Sequence, residues 1–479
     1  MRRLVVSLGL VACFLVVFFH HGLGWNPSSR LLTVYALVDD HELAADDFKK
    51  ETGDYAEVNH HIYSDKAPLS SFMVLPFYWV IRYAEVGAQT ERDREMGNHI
   101  GVLVASAFPF VAFALLMLVR SLREDDNAKR VVWLTMAGAF GTCLANYGGT
   151  FFGHMLAAAL VLGGYVLACE REEHFAIAGA LGGLSVLAEY PVAVTQMLIF
   201  GYLLLGPQRW RRAFLYGAGA FPMALLMLAY NKLITGKWLD FPYSHVPEMW
   251  HEMHKAFGIR LPDPSAMWEL LFGQYRGLAF YAAPLLLLVP LLITSFAGPR
   301  RRQLLVLTLM GGNLLLIGSY FKWDGGWCLG PRHLAPLMTL GMYEGVAALA
   351  RVKRFRGLFY VLCAWSGLVS IMGSATDSMP GEGFHSPAFE VFFPKFWKGE
   401  LSDHILFSDR HLLGDWALPN GRYLIFVWLA LFGISSWLLA RYAAKATAPA
   451  APLPAPVPMP IDVTPQAPAL QPEPPTPSA

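Results

Sequence analysis

Residues 69–86 read LSSFMVLPFYWVIRYAEV, an apolar stretch of membrane-spanning length that also carries Pro76, Arg82 and a run of aromatics. Whether it crosses a bilayer decides the topology of everything after it. Short cytoplasmic loops hold an excess of Lys and Arg. If 69–86 does not span, the cytoplasmic loops are 120–130, 170–174, 206–212, 298–303 and 351–357, which contain the clusters RWRR, PRRR and RVKRFR. If it spans, all of these clusters move outside while Arg2 and Arg3 stay in. The first arrangement satisfies the charge rule. Leu69–Val86 is therefore expected to lie at the outer membrane interface as an amphipathic helix tucked against the bundle.

Twelve further apolar segments flank it, at 4–24, 100–119, 131–145, 155–168, 176–187, 192–205, 214–230, 280–296, 304–318, 334–349, 358–373 and 423–439. Several fall short of the ~17–25 residues of a span, so their flanks must contribute. The expected fold class is an all-α polytopic membrane protein of about twelve transmembrane helices plus one interfacial helix. Composition agrees, since 55% of the 479 residues are hydrophobic and 15% charged, with a mean hydropathy of +0.40. The balance of 37 Lys+Arg against 36 Asp+Glu leaves no basic excess for nucleic acid. Five cysteines, without a CxxC pair, supply neither a disulfide framework nor a zinc site. Arg2 and Arg3 before a long apolar run read as an uncleaved signal anchor.

This topology places both termini in the cytoplasm and gives a transmembrane domain over 1–445, with outer segments at 25–99, 231–279, 320–333 and 374–422. Residues 446–479, dominated by Pro and Ala, are expected to form a disordered cytoplasmic tail. The cytoplasmic (inner) membrane is the expected location, with the functional face on the outer, periplasmic side.

The spans themselves are almost free of charge, Glu344 being the main exception, near the cytoplasmic end of its helix beside Arg351. The outer segments hold the chemistry. Asp39, Asp40, Asp46, Asp47, Asp54 and Asp65 crowd into the first of them. Such acids can be solvated surface. They can also take a proton from an attacking hydroxyl, and pairs such as Asp39 and Asp40 can hold a divalent cation, a site to which Asp46 is also a candidate. Spacing alone leaves base and metal ligand open. Tyr63-Ser64-Asp65-Lys66-Ala67-Pro68 leads into the interfacial helix and sets Lys66 at headgroup depth, where lysine either snorkels or grips phosphate. In Phe321-Lys322-Trp323-Asp324-Gly325-Gly326-Trp327-Cys328-Leu329-Gly330-Pro331-Arg332-His333 the glycines let the backbone bend around a ligand, and Arg332 offers a planar fork for phosphate oxygens. Arg276 opens a span from the outer side as a further cation. His154 and Glu189, at outer span ends, are candidates to line the same cavity.

These features in this order resemble the GT-C glycosyltransferases: an Asp-rich first outer loop, YSDKAP before an apolar helix, Tyr230-Asn231 followed by Gly236, RGL before a span, and WDGGWCLGPRH. More narrowly, the chain is similar to the bacterial members related to protein O-mannosyltransferases and lipid A aminoarabinose transferases, over about residues 1–375. The resemblance implies a non-spanning helix in the first outer loop. It implies a polyprenyl-phosphate sugar donor, a lipid, glycan or protein acceptor whose hydroxyl a loop Asp deprotonates, and cations on the donor phosphate. Phosphate is a good leaving group, so one carboxylate base with Lys or Arg suffices without the second acid of a glycosidase. Aligned on its Ala36-Leu37 rhythm, the loop puts Asp46 first as base, with Asp40 and Asp39 next. Lys66, Arg332, Arg276, Asp65, Tyr63, Asp324, His333, His154 and Glu189 are the expected substrate and phosphate contacts. His41 and Leu69 depart from the family pattern, where Gly is common. Two other readings compete: a flippase or transporter of lipid-linked glycans, which needs polar groups at mid-membrane, and a ligase or polymerase of preassembled glycans.

Overall fold

A computed structural model describes residues 2–19, 22–84, 91–402 and 423–446. It is 74% helical, and each of the twelve apolar segments holds helix among its described residues, those at 131–145 and 280–296 each being broken into two. Five described helices are long and apolar enough to cross a membrane, namely Glu95–Leu122, Gly153–Glu170, Arg209–Thr235, Lys353–Thr376 and Tyr423–Lys445. Phe175–Ala188, Tyr190–Leu203 and Pro284–Thr294 are shorter apolar helices. The chain is a polytopic membrane protein; the Pro/Ala-rich tail expected over 446–479 lies outside the described residues beyond Ala446.

Ala335–Arg351 is the central helix. Every residue from Ala335 to Ala350 is buried, as expected of a helix that is apolar all round. Small residues allow close packing elsewhere in the bundle. A Cβ on Gly179 would sit 1.9 Å from the Tyr216 carbonyl oxygen, and one on Gly219 1.8 Å from that of Ala176. Phe175–Ala188 and Arg209–Thr235 therefore touch backbone to backbone, the contact small residues give membrane helices. The N-terminal helix Arg2–Val16 packs on Phe108–Leu122 and Tyr423–Ala446, and Trp428 Nε1 donates to the Leu15 carbonyl at 2.9 Å.

Leu69–Ala84 is a helix of 16 residues. It buries Ser70, Ser71, Val74 and Tyr78 and exposes Phe72, Phe77, Trp79, Val80 and Tyr83. One face grips protein through small and hydroxyl groups while the other presents large apolar rings. The first outer segment differs from expectation in holding a second helix, Trp25–Tyr35, ten of whose residues are buried. Pro27 in its first turn, where a missing N–H costs nothing, starts it. The two helices lie side by side, joined by Ser71 Oγ donating to the Arg30 carbonyl at 2.7 Å. Between them a two-stranded hairpin pairs Ala56–Val58 with His61–Tyr63. Its turn residues Asn59 and His60 both have positive φ, 53° and 67°, the twist a two-residue hairpin loop needs.

At the other end of the bundle Glu344 is fully buried and does not meet Arg351, which instead lies 3.6 Å from Glu124. Glu344 accepts from Tyr165 Oη at 2.6 Å and from Arg120 at 3.3 Å, and Arg302 lies 3.7 Å away. Arg120 also bonds Glu124 at 2.5 Å. Each charge has an opposite neighbour, which is what keeps ionised groups tolerable in a buried setting.

Candidate active site

A cavity of about 400 Å³ opens where the helices Gly153–Tyr165 and Ala335–Arg351 begin and Phe175–Ala188 and Arg300–Gly318 end. The Trp25–Tyr35 helix and the Phe321–His333 loop close it. Its polar wall carries Asp54, Asp65, Lys66, Glu189, Arg332 and His333, and its apolar wall Val194, Met227, Phe241, Phe257, Leu316 and Ile317. The lining thus holds both charged and apolar side chains.

The polar wall is built from the buried helix Trp25–Tyr35. Ser29 Oγ donates to Asp65 Oδ1 at 3.0 Å, and Arg30 Nε to Asn26 Oδ1 at 3.1 Å. Arg30 is wholly buried and reaches Glu189 Oε1 at 2.6 Å. Lys66 Nζ sits between Asp65 Oδ2 at 2.9 Å and Asp54 Oδ2 at 3.0 Å. Burial works against the lysine's charge, but Asp54 and then Asp65 outweigh it and hold Lys66 above its ordinary value.

Arg332 has a different environment. Its guanidinium lies over the Phe152 ring at 4.8 Å, and its Nε and one terminal nitrogen are buried with no hydrogen-bond partner among the described residues. Buried donors left unpaired cost ~1–3 kcal/mol each, more when charged, so such a group is poised to take an anion. The glycine loop presses on it: Gly325 holds φ of 77°, and a Cβ there would come within 3.2 Å of Arg332 Nε. Next to it, His333 Nδ1 lies 3.1 Å from His154 Nε2.

The expected residues divide. Lys66, Asp65, Arg332, His333, His154 and Glu189 all line the cavity. Arg276 does not. It is fully buried and donates to the carbonyls of Asp324 at 3.1 Å, Tyr275 at 3.2 Å and Gly326 at 2.8 Å, with its plane 3.9 Å from the Tyr275 ring centroid. It splints the glycine loop. Asp324 braces the same loop by accepting from the Gly326 N–H at 2.7 Å, and Tyr63 ends the hairpin; neither lines the cavity.

The three acids expected as catalytic, Asp46, Asp40 and Asp39, are likewise absent from its wall. Asp46 accepts from the Ile62 N–H at 2.6 Å and contacts His61 at 2.8 Å, which pins the hairpin. Slight burial pushes its carboxyl up, and the Ile62 N–H and His61 overcome it and hold the group below its usual value. Asp39 takes Arg82 at 2.8 Å and Tyr78 at 3.1 Å, which fastens the end of the Leu69–Ala84 helix. Asp40 is exposed; burial first, then Asp39, Asp47 and Glu42, push its carboxyl up. No group of three or more His, Cys, Asp or Glu among the described residues is arranged to hold a metal ion, so these acids do not gather into one site.

Asn26, Lys322 and Glu382, which the sequence reading did not single out, and Asp54, which it did not rank, also line the cavity. Lys322 Nζ pairs with Glu382 at 2.7 Å. Asp54 stood among the six acids with nothing to distinguish it. Its placement comes from packing, because Thr52 Oγ1 donates to the Trp25 carbonyl at 2.9 Å and Trp250 Nε1 to that of Gly53 at 3.1 Å.

No protein-family model matches the chain, and no curated protein matches it. Among solved structures it is similar to the apo state of ArnT from Cupriavidus metallidurans, at 16% identity and a TM-score of 0.50, covering 93% of this chain and 77% of that one. The state of the same protein bound to undecaprenyl phosphate aligns over the same shares at a TM-score of 0.47. The fold of this chain is GT-C-like, of the ArnT kind.

Proposed function

We propose that this protein is a membrane glycosyltransferase that moves a sugar from a polyprenyl-phosphate donor to an acceptor hydroxyl at the non-cytoplasmic face. The observation that carries this reading is Arg332, a half-buried side chain whose Nε and one terminal nitrogen are buried without a partner among the described residues, in a cavity lined also by Lys66 and by apolar side chains. A phosphate on an isoprenoid chain is the matching amphiphile. Charge-assisted hydrogen bonds contribute roughly 1.5–3 kcal/mol each, so two cations supply much of the headgroup recognition. The GT-C-like fold agrees with this chemistry. The same reading includes twelve spans, cytoplasmic termini, the cytoplasmic membrane and an outward-facing cavity.

The phosphate leaves carrying the electron pair of the broken bond, so the protein must supply one proton acceptor for the attacking hydroxyl. Among acids of the first outer segment, Asp54 and Asp65 line the cavity, and both are committed to Lys66. The flippase reading has less support, because the buried charges around Glu344 neutralise one another at the bundle end away from the cavity.

Purified protein should bind undecaprenyl phosphate, and Arg332→Gln should weaken that binding about 10- to 100-fold, the equivalent of one charge-assisted contact. Native mass spectrometry over a lipid titration measures both. Equal affinity of wild type and variant would remove the basis of the donor assignment.

A further inference from the structure

The helices Ala193–Leu203 and Arg209–Thr235 carry Val194 and Met227 to the cavity wall, and at their opposite ends they enclose a second hollow. A groove of about 650 Å³ lies between them, walled by the rings of Phe200, Trp210, Phe214 and Phe221, with the small residues Ala213 and Gly217 leaving room among the rings. A Cβ on Gly217 would meet only Phe200, at 4.0 Å, so the space beside it is open. From Trp210 to Phe221 the helix rises about 16 Å at 1.5 Å per residue, half of the ~30 Å hydrocarbon core. That is the depth an acyl chain of one leaflet occupies.

The mouth of this groove is basic. Trp210 stands between Arg209 and Arg211, and the Arg209 guanidinium lies over its ring at 5.5 Å. Both arginines are exposed. Arg211 donates to the Gln208 side chain at 3.1 Å, and neither arginine has a carboxylate partner among the described residues. Behind them Glu172 gives one oxygen to Arg212 at 2.7 Å and the other to Arg301 at 3.3 Å, while Glu173 is taken by Arg171 at 3.4 Å. Even so, Arg212 Nη1 is buried with no hydrogen-bond partner among the described residues. Topology by itself asks for arginines in a short loop. It does not ask for an apolar groove one leaflet deep beside two guanidinium groups that no acid neutralises.

We propose that this groove binds an anionic phospholipid, with the phosphate on Arg209 and Arg211 and one acyl chain among Phe200, Phe214 and Phe221. Shape and charge choose the occupant. A free phosphate ion makes no use of the apolar walls, and a polyprenyl chain is far longer than the groove. A zwitterionic phospholipid fills the groove equally but brings a cation of its own to the arginines, whereas an anionic one is drawn by each of them. The site is separate from the cavity and lies at the other end of the same two helices. Bound lipid completes the packing of Arg209–Thr235, which among the five candidate spans has the least protein around it, 17% of its most apolar window being buried.

Native mass spectrometry of the full chain in detergent, titrated with phosphatidylglycerol or with phosphatidylcholine of the same acyl chains, tests this. Phosphatidylglycerol should bind about 10- to 30-fold more tightly, the worth of two surface arginines, and the double variant Arg209→Gln, Arg211→Gln should lose that preference. Gly217→Phe, which fills the groove and leaves every charge in place, should weaken phosphatidylglycerol binding by a similar factor. Arg354→Gln, at an exposed arginine of another basic loop, should leave it unchanged. Equal binding of the two lipids, or an unaltered preference in the double arginine variant, overturns the proposal. So does an equal loss in Arg354→Gln, which would mean diffuse attraction to a basic face. Displacement of phosphatidylglycerol by millimolar inorganic phosphate would reduce the site to an anion site without an acyl seat. Its displacement by undecaprenyl phosphate in Arg332→Gln protein would give the groove to the polyprenyl lipid, and either result overturns the assignment.

Discussion

Arg30 and Glu189 meet at 2.6 Å between the buried helix of the first outer segment and the end of Phe175–Ala188, and Gly153 is what lets them meet. A Cβ at position 153 would lie 2.6 Å from Glu189 Oε1 and 2.9 Å from an Arg30 terminal nitrogen. The ion pair fastens an outer segment to the bundle, and the absence of one carbon atom makes room for it.

Gly153→Ala should therefore destabilise the protein by about 1–3 kcal/mol, the usual penalty of overpacking a close contact. The Ala188 carbonyl oxygen, 2.7 Å from the same Cβ, is backbone and cannot swing away. Gly201→Ala is the control, since nothing lies within 4 Å of a Cβ there and the site is helical. It should be neutral or slightly stabilising. Thermal unfolding in detergent separates the two; equal melting temperatures would show that the contact carries no strain.

Asp46 gives a prediction in pH. Its carboxyl is held below the usual value in the folded state by the Ile62 N–H and His61. The carboxylate therefore stabilises the hairpin at every pH above the unfolded carboxyl value, about 4, and that contribution is lost as pH falls through the lower folded value. Hydrogen exchange of residues 56–63 should show protection loosening as pH falls below about 4 in the wild type, and no such step in Asp46→Asn. Since Asp46 does not line the cavity, Asp46→Asn should keep its glycosyl transfer at pH 7. Loss of transfer with the hairpin intact would return the catalytic role to Asp46.

The membrane character and the helices were legible because burial in lipid demands long apolar runs, and these survive any detail of packing. The expectation that Leu69–Ala84 stays out of the spans rests on charge, because Arg clusters more than a hundred residues away bear on its orientation. That Lys66 and Arg332 stand near space for a ligand could be read from their glycine- and proline-marked loops, and both line the cavity. The choice among six aspartates could not. Asp46 and Asp54 differ in role only because the turn at Gly53 packs on Trp25, where a Cβ would lie 2.6 Å from the ring, a contact 28 positions apart in the chain that no local pattern announces. The surroundings of Arg276 were hidden for a similar reason: an arginine at a span end reads as a phosphate ligand, whereas this one lies off the cavity wall and gives three of its five donors to backbone carbonyls.

The placement of Leu69–Ala84 can be tested by labelling. The background is low, since Cys143, Cys169, Cys328 and Cys363 are buried and Cys13 is half-buried. Lys237, whose side chain is 78% exposed, lies in the second outer segment, and exposed Lys353 lies in a proposed cytoplasmic loop. If Leu69–Ala84 lies on the outer surface, a membrane-impermeant maleimide should label Lys237→Cys in intact cells and Lys353→Cys only after permeabilisation. If that helix crosses the bilayer, every later loop changes side and the two results exchange. The exchange would also move Arg332 and Lys66 to opposite faces, which the shared cavity forbids. A reversed pattern for both sites would therefore mean that the whole bundle is inverted, with its cavity facing the cytoplasm, and the outward-facing transferase would fall while the fold stood.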